Sequence, residues 1–214
     1  MNPIYQLLME PFKFRSGVEA MNRIVHAPMT ISFSRQDGMA SDDLIAYYES
    51  RTNGVGMAVT GSTIVTPNGK VFGGELAADR DETIPSLQRV ATAMKKHGAK
   101  AILQIFHGGR ESSPEGVPGG DIVGASAVAK EGAGSIPRAL EEHEILEIAR
   151  AFGASTRRAI EAGFDGVEIH GANRFLLQQF FSPYTNRRDD RWGGDADRRM
   201  AFPLAVVDEV VKTA

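Results

Sequence analysis

The chain has 214 residues, 42% of them hydrophobic and 24% charged, with a formal net charge of −3 and no cysteine. That composition can bury a core and is unlike a disordered segment, and it excludes disulfides and thiolate metal sites, which points to a cytosolic setting. No apolar run approaches the ~18 residues needed to cross a membrane, and the stretch Met1 to Phe14 lacks the basic and apolar regions of a signal peptide.

The elements follow a loose rhythm of apolar run, loop and amphipathic helix. The first run is Ile24-Val25-His26-Ala27-Pro28-Met29. A helix is predicted from about Asp42 to Thr52, with Ser41 as N-cap and Gly54 as a left-handed stop. A second run extends from Met57 through Thr60 to Val65. The next helix is expected over Ile84 to His97, capped by Thr83 in front and Gly98 behind. Ala101 to Phe106 is the third run. The stretch His107 to Ala139, rich in Gly, Ser and Pro, reads as an active-site loop rather than a linker. In the helix predicted over Glu141 to Glu161, Ile145, Ile148, Ala149, Phe152, Ala159 and Ile160 recur at helical spacing, and Gly163 ends it. Asp165 to His170 is the fourth run. A last helix is predicted from near Asp195 to the chain end, with Pro203 expected to kink or delay it.

Strands alternating with helices imply a parallel sheet, because parallel neighbours need crossover connections. A doubly wound nucleotide-binding sheet should carry a Gly-rich turn after its first strand, but here that turn is Met29-Thr30-Ile31-Ser32-Phe33. The stretch Gly132-Ala133-Gly134 lies in the long loop, between no strand and helix, and reads as ordinary loop glycine. In a β/α-barrel, chemistry collects at the C-terminal strand ends. Thr30, Gly61, Gln104 with His107, and His170 with Asn173 sit there, so the fold class is α/β and the N-terminal half of a parallel (β/α)8 barrel. Four βα units are half of the eight needed for closure. Residues 1–214 are therefore expected to be part of one barrel domain, the remaining strands lying outside this sequence; the alternative is a half-barrel that pairs with a second copy.

His170-Gly171-Ala172-Asn173 is the most informative tetrapeptide. Its histidine ends a strand and its asparagine starts a helical turn, so both side chains are expected to converge on one oxygen. Two such donors stabilise charge developing on a carbonyl oxygen, an effect of roughly 3 kcal/mol per donor in other enzymes. Zinc is another use for His107 and His170, but it needs a third ligand, and Glu168 lies one layer deeper; with no HExxH no metal is expected. A barrel lyase or aldolase using His170 and Glu168 as acid and base is a flavin-free alternative, and a non-catalytic fragment is another. The basic cluster Arg187, Arg188 and Arg191 is interleaved with Asp189, Asp190 and Asp195. It reads as a loop locked by internal ion pairs, not as the basic stripe of a nucleic-acid groove.

Asn22-Arg23-Ile24-Val25-His26-Ala27-Pro28-Met29-Thr30, Leu103-Gln104-Ile105-Phe106-His107-Gly108-Gly109-Arg110 and Gly163-Phe164-Asp165-Gly166-Val167-Glu168-Ile169-His170-Gly171-Ala172-Asn173 resemble the Old Yellow Enzyme family of NAD(P)H:flavin oxidoreductases. So do Gln179-Phe180-Phe181-Ser182-Pro183, Asn186 to Asp190 and Trp192-Gly193-Gly194. The resemblance covers nearly the whole chain in the right order. It implies an FMN-dependent enzyme that passes hydride from NADH or NADPH to an activated alkene or related acceptor. By resemblance, Ala27, Pro28, Met29 and Thr30 line the flavin, Gly61 stands beside it, and Gln104 bonds its pyrimidine edge. His170 and Asn173 bind the substrate carbonyl. The expected partners are a small-molecule substrate, neither nucleic acid nor membrane, with a homo-oligomer left open.

Two positions depart from the family pattern. Phe175 replaces a tyrosine that protonates the substrate's α-carbon in many members, leaving water or another group such as Tyr184 to do so. Ser32 stands near a substrate-contacting tyrosine of some members.

Overall fold

A computed structural model describes residues 3–132 and 135–214; Met1, Asn2, Ala133 and Gly134 lie outside the described residues, and with them most of the Gly132-Ala133-Gly134 stretch. Four parallel strands form the frame: β1 (Val25–His26), β2 (Met57–Val59), β3 (Lys100–Phe106) and β4 (Gly166–Ile169). They lie side by side in chain order, with β1 on β2, β2 on β3 and β4 on the other flank of β3. Each crossover carries a helix: α1 (Asp42–Arg51), α2 (Ile84–Lys95) and α3 (Glu142–Glu161). Two more follow β4, α4 (Leu176–Phe181) and α5 (Ala196–Thr213). This is the parallel half-barrel that alternating runs require.

Register decides which residues reach the site. Glu168 pairs with Gln104, and Val167 with Leu103. Because strand side chains alternate, Leu103 and Ile105 point to the helices and are fully buried, whereas Gln104 turns to the other face with Glu168. The second apolar run is not one strand. It breaks at Gly61 and resumes as Thr63–Ile64, which pairs with Ile105 and Phe106 and carries a further strand, Leu76–Ala77. The long loop holds two 3-10 turns and a short parallel pair, Val123–Gly124 with Arg138–Ala139.

Capping separates the helices. Ser41 Oγ accepts from Leu44 N at 3.1 Å, so it is the N-cap expected. Thr83 is not: its backbone is already helical and its hydroxyl donates to Arg80 O at 2.7 Å, inside the 3-10 turn Asp81–Thr83 that leads into α2. α3 is opened by a capping box in which Glu141 N donates to Glu144 Oε2 at 2.7 Å. Of its periodic apolar residues, Ile145, Ile148, Ala149, Phe152 and Ala159 enter the core, but Ile160 is exposed. Asp195 caps α5 through Arg198 N. Pro203 does not delay this helix, which runs unbroken past it. Phe202 and Val206, both fully buried around the proline, hold the turn that lacks one amide.

α3 and α5 approach closely at Gly153, where an added Cβ would lie 3.0 Å from Glu209 O. Gly153→Val should therefore force the helices apart, at a cost of about 1–3 kcal/mol, read as a lower urea midpoint. An unchanged midpoint would mean the contact yields freely.

Candidate active site

The C-terminal strand ends open onto a cleft of about 690 Å3, in the range of small-molecule and cofactor sites. Pro28, Thr30, Gln104, His170 and Asn173 line it, with Phe175 and Glu168. Three other expected cofactor residues sit off its wall. Ala27 is exposed in the extended segment after β1. Met29 and Gly61 line a small cavity behind Thr30. Gly61 is small for a local reason, since an added Cβ would lie 2.4 Å from Met29 O, and its amide donates to the buried Tyr48 hydroxyl at 2.8 Å.

Asn173 is not at the start of a helical turn. It has φ +55° and Arg174 has φ +63°, two consecutive left-handed residues, a conformation that asparagine tolerates and arginine rarely adopts. The turn is held from outside. Buried Gln179, on α4, donates to Arg174 O at 2.7 Å and to Gly108 O at 3.0 Å, and accepts from Arg110 N at 3.2 Å. One amide thus ties the loop after β3 to the loop after β4. Gly171 lines the cleft with open space around it: an added Cβ would meet nothing within 4 Å.

The turn brings His170 Nε2 and Asn173 Nδ2 to 3.3 Å from each other. Ala172 N donates to His170 Nδ1 at 3.3 Å, so in the neutral ring Nε2 carries the proton. Burial lowers the His170 pKa below the ordinary histidine value, with Glu168 opposing as the smaller effect. The ring is therefore neutral at neutral pH. Two N–H donors then stand side by side, the arrangement that binds a carbonyl or anionic oxygen. Phe175 packs on this pair, its ring 4.9 Å from His170 and 4.8 Å from Phe106.

Gln104 Nε2 donates to Glu168 Oε1 at 2.7 Å, as their register requires. Among the described residues its Oε1 and second amide hydrogen keep no protein partner. An acceptor beside a donor complements an imide edge such as that of a flavin pyrimidine ring, so the residues present fit that group.

His107 does not share the cleft with His170. It is fully buried, its Nδ1 accepts from Gly109 N at 3.0 Å and its Nε2 lies 3.2 Å from Asn68 Oδ1. The zinc pairing of the two histidines is thus not formed, and among the described residues no three His, Cys, Asp or Glu side chains group to hold a metal. Tyr184 is 61% exposed, borders a neighbouring cavity and stacks with Arg110 and Arg187, so it does not line the cleft. Ser32 has φ +52° and is likewise off the cleft wall.

Arg110 reaches across its own long loop, donating to Val128 O and Ala129 O at 3.2 and 3.3 Å. Beside it, buried Glu111 meets Arg174 and Lys130 at 3.8 and 4.0 Å on the cleft wall, a charged cluster that sequence reasoning missed. Arg188 pairs with Asp190 at 2.6 Å and clamps the carbonyls of Ala125 and Leu140, while Arg191 pairs outside the run with Glu142.

Comparison with known proteins bears on the family and the fold. Residues 7–214 match the profile of the NADH:flavin oxidoreductase / NADH oxidase family. The chain belongs to that family. The probable NADH-dependent flavin oxidoreductase YqiG of Bacillus subtilis (strain 168) is 54% identical over the whole chain, which spans 57% of that protein. The NADH:fumarate oxidoreductase of Klebsiella pneumoniae (strain 342) is 45% identical over 97% of the chain and 22% of its own length. Morphinone reductase in complex with tetrahydroNAD superposes with a TM-score of 0.91 at 32% identity, over 96% of this chain and 60% of that one. The chain thus matches the N-terminal part of such a barrel and spans less than two thirds of these relatives. FMN and a reduced nicotinamide are the cofactors that go with this family.

His107 also dictates a pH dependence. Burial pushes its pKa down to about 3, against about 6.5 in an unfolded chain. Between those values the unfolded state binds the extra proton, so stability falls as pH drops from about 6.5 towards 3. Denaturant midpoints at pH 7 and pH 4.5 should differ less in His107→Asn than in the parent; equal differences would assign the loss to other groups.

Proposed function

We propose that this chain forms the N-terminal part, residues 1–214, of one FMN-binding barrel domain, in an enzyme that transfers hydride from NADH or NADPH to an activated alkene or related acceptor. The observation that carries it is the pair of donors at His170 and Asn173, 3.3 Å apart in a cleft that Gln104 and Thr30 also line. Bound FMN would supply the hydride relay between nicotinamide and acceptor. Gln104 would hold its imide edge, and Pro28 and Thr30 would border it from the first strand. His170 Nε2–H and Asn173 Nδ2–H would accept the load of charge that builds on the substrate's carbonyl oxygen, leaving its β-carbon electrophilic. Phe175 adds an apolar ring beside His170 but offers no proton. The substrate is a small molecule on this reading, with no role for nucleic acid or membrane, and the setting is cytosolic; among the described residues no helix is long and apolar enough to cross a membrane.

His170→Ala removes one of the two donors. In the complete flavin-loaded protein it should slow oxidation by a conjugated carbonyl acceptor on the order of a hundredfold while flavin content stays nearly unchanged. An acceptor half-reaction of parental rate would remove His170 from the chemistry.

Phe175 sets the second test. Hydride addition at the β-carbon leaves an enolate that must take a proton at its α-carbon; Phe175 has none to give, and Tyr184 lies off the cleft wall. Alkene reduction should be limited by protonation, and quinones or nitro compounds, which need no carbon protonation, should be the faster acceptors. Phe175→Tyr should accelerate alkene reduction by about tenfold to a thousandfold and scarcely change quinone reduction. Equal responses of the two rates would show that position 175 has no bearing on protonation.

A further inference from the structure

Behind the cleft lies a buried acid that the chemistry above does not use. Glu75 is 2% exposed and forms no ion pair among the described residues. Its Oε2 accepts from Val71 N at 3.0 Å and Phe72 N at 3.1 Å. Its Oε1 lies 3.2 Å from Ser62 Oγ, which lies 2.9 Å from Thr30 Oγ1. Thr30, Val71 and Phe72 all line the cleft. A hydrogen-bonded chain therefore runs from an interior carboxyl to a hydroxyl at the site.

Counting protons shows what this chain does. Each hydroxyl has one hydrogen. With Glu75 ionised, Oε1 only accepts, so Ser62 donates to Glu75 and Thr30 donates to Ser62. The Thr30 oxygen then offers only lone pairs to the cleft. With Glu75 protonated on Oε1, the free oxygen since Oε2 holds two amides, every bond reverses. Glu75 donates to Ser62, Ser62 donates to Thr30, and the Thr30 proton is released towards the cleft.

We propose that Glu75, acting through Ser62, sets whether the Thr30 hydroxyl presents a proton or a lone pair to the cleft. Glu75 and Ser62 are positioning residues; Thr30 is the group that meets the ligand. What faces Thr30 rests on the reading above, in which it borders the flavin. A proton given to a flavin carbonyl favours the reduced, electron-rich ring, and a lone pair turned to the same oxygen disfavours it.

The carboxyl is placed to titrate. Burial raises its pKa above the ordinary glutamate value; the Val71 and Phe72 amides, Ser62 and the charge of Lys70 oppose this and do not cancel it. Tyr48 shares the cavity behind Thr30, and Asp37, Asp79, Arg80 and Glu115 border the neighbouring one that Glu75 also lines. Arg80 is occupied by Asp79 and the Asp37 carbonyl, and Lys70 by the Gln36 carbonyl.

The test uses the flavin-loaded protein, its midpoint potential measured against pH, and the side-chain 13C resonance of Glu75 as an independent record of its protonation. Glu75→Gln keeps the chain in its protonated polarity, because the amide carbonyl accepts from Val71 and Phe72 and the amide N–H donates to Ser62. Ser62→Ala cuts the chain. The parent should show an extra inflection in potential at the pH where Glu75 titrates. Below it the reduced form should be favoured about tenfold more, which is about 30 mV for a two-electron couple. Glu75→Gln should lack the inflection and follow the low-pH branch. Ser62→Ala should lack it while Glu75 still titrates, at higher pH for want of the hydroxyl donor. An inflection that survives in either variant, or a parent in which Glu75 titrates without one or does not titrate at all, overturns the proposal. If the protein holds no flavin, the cofactor reading fails separately, and the relay is judged on the resonance alone: an unmoved Glu75 titration in Ser62→Ala overturns it.

Discussion

Everything at the site is referred to one seven-residue strand, Lys100–Phe106. It bonds β2 along its first half, Thr63–Ile64 along its second and β4 on its opposite flank. Its outward residues Ala101, Leu103 and Ile105 are fully buried against the helices, which fixes its face as well as its position. A slip of one residue would turn Leu103 to the cleft and Gln104 to the core. Fixed register is thus what places an amide, a carboxylate and a histidine in successive positions on one wall.

Burial, more than ion pairing, sets the electrostatics around that wall. It keeps His107 and His170 neutral and holds the Glu75 carboxyl towards its neutral form. The arginines nearby serve largely as clamps on backbone: Arg110 on the carbonyls of residues 128 and 129, Arg188 on those of Ala125 and Leu140. Long loops with few apolar residues are ordered in this way, each guanidinium satisfying carbonyls that no strand reaches.

The frame was legible in the sequence because its signals are local. Apolar runs at residues 24–29, 101–106 and 165–170, and the Ser41 cap, need only their own neighbours. Thr83 misled because a hydroxyl before an apolar helix also suits a 3-10 turn, and Pro203 because packing by Phe202 and Val206 outweighs one lost bond. Within the site, His170 and Asn173 were readable from their place after a strand, although the left-handed turn joining them was not. Gly61 was expected beside the cofactor from resemblance alone; the local reason for a residue without a side chain there, the Met29 backbone lying against it, was not visible in the sequence. The links Gln179 to Gly108, Glu75 to Ser62 and Ser62 to Thr30 span separations of 71, 13 and 32 residues. No spacing rule reports them; an acid beside the apolar Leu76-Ala77-Ala78 was the one visible hint.

Gln179 grips the turn at Arg174 and ties it to Gly108, while Gly171 has open space beside it on the cleft wall. Shape and selectivity are thereby decoupled. Bulk added at position 171 would reshape the cleft without meeting the clamp, since a Cβ there has nothing within 4 Å. Glycine here marks an adjustable position rather than a backbone requirement, and it gives divergent selection and laboratory evolution a place to begin.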